Sequence, residues 1–176
     1  MKLLSPAISR LARWRFSSIE IWMENAVAVQ RDVWQNLLAS GQYTEFGRQH
    51  HFSSIQSVEQ FKQRVPIQDY DSLKPFIDRM LKGEENVLWN TPVEWFAKSS
   101  GTTGDKSKFI PISQESLKEN HYRASKDVLS LYYATHPESD LLTGKSLVIG
   151  GSHQVAELNE NIHYGDLSAV VMQNTP

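Results

Sequence analysis

The sequence of 176 residues contains no cysteine. Disulfide bonds and thiolate metal sites are therefore excluded, and because this composition is typical of a reducing compartment, we expect a cytoplasmic protein. No run of about 18 apolar residues occurs, which predicts that no segment spans a membrane. The formal net charge is only −2, so the chain carries no global positive field for nucleic acid or an anionic membrane. Any basic site must be local.

Metal ligands are also sparse. The six histidines are scattered without ligand spacing, so we predict no metal site made from them. The apolar content of 40% is ordinary for a globular protein, and the length suits about one domain. The chain stops at Pro176, soon after the apolar run 167–172, and we expect it to be part of a longer protein.

The first half of the sequence is typical of helices. The first 19 residues contain four basic residues and no acidic one, as a transit peptide does. Helical spacing of apolar residues favours instead a short amphipathic helix packed on the body, with Leu4, Ile8, Leu11 and Trp14 on its inner face. A capping box at 17–20 predicts a helix starting at Ser17 and ending at Gly41. Two further helices are predicted over 57–64 and 73–82, the second with Pro75 in its first turn and Gly83 at its end.

Strand patterns begin in the second half. β-branched and aromatic runs predict strands over 93–98 and 109–112, with Pro111 at a sheet edge, and a buried strand over 146–149. A long helix from Ser113 or Ser116 to Tyr133 should present Leu117, His121, Ala124, Val128 and Leu131 on one face, and Asp166 should cap a last helix. We therefore predict an α/β fold: a helical lead-in over about 1–88, a strand–loop–strand–helix section over about 93–135 and an α/β continuation over 146–176.

The loop between the first two strands is the most informative stretch. Residues 99–108 contain five hydroxyl side chains, two glycines and two lysines. Glycines allow backbone N–H groups to turn inward around an anion, hydroxyls donate hydrogen bonds, and lysines supply charge. An ordinary surface turn also uses Gly, Ser and Thr, but this density between two strands favours phosphate binding. The loop is not a Walker A motif, since Gly101 and Gly104 are only three residues apart and no helix follows.

The run from Trp95 to Pro111, WFAKSSGTTGDKSKFIP, closely resembles the first ATP motif of the auxin-responsive family of acyl-acid amido synthetases, which belongs to the adenylate-forming superfamily. The segments Ile77–Met80 with Gly83-Glu84, and Gly165–Ser168, resemble other parts of the same family. The resemblance implies the start of the large adenylate-forming domain, and therefore an incomplete fold, because members are about three times as long and their adenine-binding and ribose-binding motifs should lie beyond Pro176.

The resemblance implies an ATP-dependent ligase with Mg²⁺. A carboxylic acid and ATP give an acyl-adenylate and pyrophosphate, and an amino acid amine then displaces AMP to form an amide. It also implies site residues. Ser99, Ser100, Thr102 and Thr103 should hydrogen-bond the phosphates, Gly101 and Gly104 should allow close backbone approach, and Lys106 and Lys108 should add charge.

The helix after the loop would help to form the acyl-acid pocket, which makes His121, Tyr122 and Arg123 candidates there. The residue types alone are also compatible with two other roles: His121 as a histidine of the core and Arg123 as a solvated arginine. Two other functions stay open: a ligase that transfers the acyl group to CoA or a carrier thiol, and an inactive module that binds only nucleotide or a partner. The partners implied are a small carboxylic acid and an amino acid, with no nucleic acid; the oligomeric state is left open.

Overall fold

The computed structural model of the chain describes residues 4–99, 107–141, 145, 147, 149 and 151–175. Their regular elements are α1 (Leu4–Glu24), α2 (Ala26–Gly41), α3 (Glu45–Gln49), α4 (Val58–Arg64), α5 (Tyr70–Met80), β1 (Trp95–Lys98), β2 (Phe109–Ile112), α6 (Gln114–Ser116), α7 (Arg123–Thr135), β3 (Val155–Asn159), β4 (Ile162–Gly165) and α8 (Leu167–Gln173). A 3-10 turn covers Phe52–Ser54, and a π-helical segment, Leu117–Tyr122, joins α6 to α7. The fold is mixed α/β, as predicted.

The chain divides into two compact units. The helical unit takes Met1–Asp32 and Glu115–Ile149, and the sheet unit takes Val33–Gln114 and Gly150–Pro176. Both units are therefore built from two separated stretches of sequence. No helix in the described part of the chain combines the length and apolarity needed to cross a membrane.

The sheet has the strand order β2-β1-β4-β3 among the described residues. Strands β1 and β2 pair antiparallel, with Trp95 opposite Ile112 and Lys98 opposite Phe109. This confirms the predicted strand–loop–strand hairpin and places Pro111 in an edge strand. Strand β4 runs parallel to β1 and antiparallel to β3. The β3–β4 hairpin was not predicted, because its exposed, polar β3 lacks a run of β-branched or aromatic residues.

The core of the sheet unit lies between α5 and the sheet. Phe96 and Val87 are almost completely buried there. The other buried members of this cluster are Ile77, Met80, Leu81 and Ile162. On α8, Ala169 and Val170 are also buried, and this helix packs against β1 and β4. Burial of this much apolar surface is the main favourable contribution to the stability of the unit.

The helices of the sheet unit follow their capping residues. Ser57 accepts a hydrogen bond from the Gln60 N–H (3.2 Å) and begins α4, as predicted. Helix α5 begins earlier than predicted, because Asp69 caps it by accepting from the Ser72 N–H at 2.8 Å. Pro75 therefore lies inside the helix and not in its first turn. Gly83 follows with a φ of 89°, the left-handed conformation that glycine adopts at helix ends.

In the helical unit, α1 runs unbroken through Ser17, so the predicted capping box there is wrong. The Ser17 hydroxyl instead donates to the Arg13 carbonyl at 3.3 Å, within the helix. The predicted inner face of α1 is also wrong at the side chains described, since Leu11 and Trp14 are 65% and 71% exposed. Ser9 and Ala12 are the buried positions, and α1 packs against α7.

The helix after β2 begins at Gln114. Of the two starts predicted for it, Ser113 and Ser116, the first is therefore correct. Its buried residues are Leu117, Ser130 and Tyr133, whereas Val128 and Leu131 are exposed. The predicted face is right at Leu117 and wrong at Val128 and Leu131, because the π-helical turn is wider than an α-turn and changes the angular position of every later residue. Of the buried strand predicted over 146–149, Leu147 and Ile149 are described; both are exposed and outside any strand. The last helix, α8, begins after Asp166 as predicted, but the Asp166 side chain makes no capping hydrogen bond to it and instead accepts from the Ser152 N–H.

Candidate anion-binding site

The candidate site is the loop that joins β1 to β2. Of its predicted phosphate-binding residues, Ser99 and Lys108 are described, whereas Ser100, Gly101, Thr102, Thr103, Gly104 and Lys106 lie outside the described residues. The Ser99 N–H donates to the Lys108 carbonyl at 2.9 Å, and the Lys108 N–H donates to Ser99 Oγ at 3.0 Å. These two bonds close the base of the loop. The Ser99 hydroxyl accepts in the second bond, and a serine hydroxyl can also donate one hydrogen bond.

A lysine lies at each end of the loop, Lys98 directly before Ser99 and Lys108 directly before β2. Lys108 Nζ lies 5.3 Å from the ring centroid of Tyr70, and Lys98 Nζ lies 5.9 Å from that of Tyr164. Both distances are within the range of a cation–π contact, which holds an ammonium group without neutralising it. The sequence prediction missed Lys98 because it was counted as part of the strand. Its position directly before Ser99 was the available signal.

Aromatic rings also fix the start of β2. The rings of Phe109 and Tyr164 meet edge to face at a centroid distance of 5.3 Å. Phe109 is opposite Lys98 in the hairpin, so this packing ties both strand ends to β4. The two strand ends that flank the loop are therefore packed against β4, and such packing helps to place polar groups around a ligand.

The carboxylate of Asp69 lies near Lys108. Hydrogen bonds from the Ser72 side chain and backbone hold the pKa of Asp69 below its usual value, and the charge of Lys108 adds to this effect. Asp69 is thus ionised at neutral pH and is used as the cap of α5. Its charge offsets part of the positive potential of Lys108.

Arg79, in the segment that resembles the approach to the family's ATP motif, is ion-paired on two sides. Its guanidinium donates to both carboxylate oxygens of Glu45, at 2.9 and 2.6 Å, and also to Glu84. These bonds raise the pKa of Arg79 and lower the pKa of both glutamates. A guanidinium with two carboxylates is already neutralised, so its role here is to join α3 to the turn after α5.

The segment Gly165–Ser168 accepts hydrogen bonds from the backbone that precedes β3. Asp166 Oδ2 accepts from the Ser152 N–H at 3.0 Å, and Ser168 Oγ accepts from the Gly151 N–H at 3.1 Å. A Cβ at Gly165 would lie 2.8 Å from the Gln154 carbonyl oxygen, which leaves no room for a side chain. These contacts fix the chain that leads into β3.

The predicted acyl-pocket residues are consecutive and lie in the helical unit. His121 and Tyr122 belong to the π-helical segment, and Arg123 begins α7. Arg123 is ion-paired with Glu119, four residues earlier, and its guanidinium lies 5.1 Å from the centroid of the Trp22 ring. Arg123 is therefore not merely solvated, because its guanidinium has an ionic partner, Glu119, and an aromatic partner, Trp22. A role of these residues in an acyl pocket stays a prediction.

Fold and sequence together define a class: a mixed α/β domain in which lysines flank a Ser/Thr/Gly-rich segment between two antiparallel strands. Residues 15–176 match the GH3 family N-terminal domain. The chain belongs to the GH3 family, as the sequence resemblance predicted.

Named relatives agree with this assignment. The chain is 33% identical over 100 residues to the indole-3-acetic acid-amido synthetase GH3.5 of Arabidopsis thaliana, covering 56% of this chain and 16% of that protein. It is 32% identical over 108 residues to a probable indole-3-acetic acid-amido synthetase, GH3.2, of Oryza sativa subsp. japonica, covering 60% and 18%. The chain thus spans less than a fifth of the length of these two relatives.

The fold is that of solved amido synthetases. The chain superimposes on the GH3.15 acyl acid amido synthetase with a TM-score of 0.78 and 24% identity, covering 90% of this chain and 28% of that one. A structure of AtGH3.15 in complex with 2,4-DB gives a TM-score of 0.77 at 23% identity, covering 92% and 28%. At this level of identity, the likeness establishes the fold.

Proposed function

We propose that the chain supplies the phosphate-binding loop of an ATP-dependent acyl-acid amido synthetase. The observation that carries the proposal is the β1–β2 hairpin, in which Lys98 and Lys108 flank a loop rich in Ser, Thr and Gly. Membership of the GH3 family and the names of its relatives support this function. Those names also favour an amine over a thiol as the acceptor.

The proposed chemistry explains why such a loop is needed. A carboxylate is a poor electrophile, and transfer to the α-phosphate of ATP gives it a good leaving group. Negative charge then gathers on the phosphates of the transition state and on the departing pyrophosphate. Hydroxyl and backbone N–H donors of the loop and the two lysine ammonium groups would stabilise that charge, and stabilisation of this kind is usually the largest catalytic contribution.

The described residues fit an anion better than a bare metal ion. Within the part of the chain that the structure describes, no three His, Asp or Glu side chains come together as metal ligands. Mg²⁺ commonly binds through substrate phosphates, several waters and few protein groups, so ATP and water would supply most of the ligands of a Mg²⁺ ion here. The ion would add positive charge at the phosphates.

We also propose that His121, Tyr122 and Arg123 contribute to the acyl-acid pocket. The half-buried His121 and Tyr122 lie on a π-helical segment, a distortion that is frequent at functional sites. Substitution of His121 by alanine in the native gene product should raise the KM for the carboxylic acid and leave the KM for ATP unchanged. An equal change in both KM values would argue against a role in the acid pocket.

The test of the proposed function is carboxylate-dependent ATP–pyrophosphate exchange by the native gene product. The double substitution Thr103→Ala with Lys108→Ala should raise the adenylation barrier by about 3–5 kcal/mol, because a donor and a charge at the phosphates are lost. The control is Lys82→Ala, which removes an exposed lysine at the end of α5. Undiminished exchange in the double variant, or no exchange in the unmodified protein, would overturn the proposal.

A further inference from the structure

The Tyr70 hydroxyl is hydrogen-bonded to the backbone of Phe109, the first residue of β2. It accepts from the Phe109 N–H at 2.9 Å and lies 3.5 Å from the Phe109 carbonyl oxygen, to which it donates. Tyr70 begins α5 and is 39 residues away in sequence. A local sequence pattern could not have revealed this contact.

The hairpin register explains why the backbone of Phe109 is available. Because the Ser99 N–H donates to the Lys108 carbonyl, the next pair, Lys98 and Phe109, is a non-hydrogen-bonded pair of the antiparallel ladder. The N–H and C=O of Phe109 therefore point away from β1, toward the outer edge of the sheet. The phenol of Tyr70 satisfies these two groups, as an additional strand would.

The same tyrosine also contacts the residue before Phe109. The Lys108 ammonium lies over the Tyr70 ring, 5.3 Å from its centroid. A single side chain thus contacts the backbone where the loop ends and the lysine that the loop presents. Tyr70 is itself half-buried and packs against the core of the sheet unit, so it is a rigid support.

We infer that Tyr70 is a positioning residue, which holds Lys108 and the C-terminal end of the loop in the geometry that binds polyphosphate. This inference rests on the proposed function. Tyr70 touches no reacting atom in this role and acts through Lys108. The hydroxyl and the ring make separate contributions, so two substitutions can divide them.

The first measurement is amide hydrogen exchange on the native gene product, which needs no ligand. Tyr70→Phe keeps the ring and removes the hydroxyl, so exchange at the Phe109 amide should become at least about tenfold faster while the amides of α5 keep their protection. The matched control is Tyr43→Phe, which removes the hydroxyl of an exposed tyrosine and should leave the Phe109 amide unchanged. Unchanged exchange at Phe109 in Tyr70→Phe would overturn the inference by itself.

The second measurement is the affinity of the chain for inorganic tripolyphosphate, by titration calorimetry. Tyr70→Phe should weaken binding about five- to tenfold, and Tyr70→Leu, which also removes the ring beneath Lys108, should weaken it further. In a Lys108→Ala background, Tyr70→Leu should lose most of its effect, because the residue through which it acts is gone. Equal losses with and without Lys108 would overturn the inference.

If Tyr70 only stabilised the fold, the result would be different. Tyr70→Leu would then have a lower melting temperature, but the folded variant would bind tripolyphosphate with unchanged affinity. That outcome would also overturn the inference. Absence of tripolyphosphate binding by the unmodified chain would overturn the proposed function and the anion-binding part of this inference together. The hydrogen-exchange result separates that failure from a failure of the Tyr70 contact.

Discussion

In the sheet unit, Phe96 is fully buried between α5 and the sheet, surrounded by other apolar side chains. In the helical unit, the contacts between α1 and α7 include polar ones. Arg15 donates to both carboxylate oxygens of Asp127, at 2.6 and 2.9 Å, and the Ser9 hydroxyl donates to the Pro137 carbonyl at 2.9 Å. Among the described side chains, the sheet unit has the larger set of buried apolar residues, whereas the helical unit has fewer of them together with these directional bonds.

The difference shows that an apolar pattern does not by itself locate a core. On α1, Leu11, Trp14 and Ile21 lie at helical spacing, yet all three are more than half exposed. The guanidinium of Arg15 instead lies 4.5 Å from the ring centroid of Trp22, which is half-buried. The long side chains of the helical unit thus combine charge with packing.

The largest effect should come from the apolar core. Phe96→Ala removes a fully buried ring and leaves a cavity, so it should lower the free energy of unfolding by about 3–5 kcal/mol. Leu11→Ala, on an exposed face of α1, should change it by less than about 0.5 kcal/mol. Urea unfolding of the three chains measures both values. Similar losses for the two substitutions would contradict the contrast between the units.

The sequence was sufficient to predict the sheet unit near the site. The strands on both sides of the loop, Ser57 as a cap and Gly83 as a helix end follow local rules of propensity, capping and φ, and the structure has them all. These features depend on a few neighbouring residues, so the sequence contains the information directly.

Features that depend on distant residues could not be predicted in this way. The contact of Tyr70 with Phe109 requires the register of a hairpin and the position of α5. The buried face of α7 depends on the π-helical turn before it, which shifts the 3.6-residue period. Ser99 and Lys98 illustrate the two cases at the site. Ser99 was predicted from the composition of its loop, whereas Lys98 was missed, and its contact with Tyr164 needed the parallel pairing of β1 with β4.

An intermediate effect is expected for the ion pair of the helical unit. Asp127→Ala leaves the guanidinium of Arg15 without its bidentate partner, and both side chains are only about one-fifth exposed, so the loss should be about 1–3 kcal/mol. Asp32→Ala, an exposed aspartate of α2, is the control and should have little effect. Hydrogen exchange recorded at increasing temperature would show whether the amides of α1 and α7 lose protection before those of the sheet unit. Loss confined to the sheet unit would mean that this pair does not stabilise the helical unit.

The smallest effect should be that of the exposed ion pairs around Arg79 in the sheet unit. Because this guanidinium lowers the pKa of Glu45 and Glu84, their contribution to stability is present above the usual glutamate pKa of 4.5 and is lost as the pH falls through the lower pKa of the folded state. Arg79→Met should therefore lower the urea midpoint at pH 7, and the difference from the unmodified chain should shrink below about pH 4. Lys82→Met, at an exposed lysine just after α5, should show no such pH dependence. A difference for Arg79→Met that is as large at pH 3 as at pH 7 would assign its effect to lost packing of the arginine stem and not to the carboxylates.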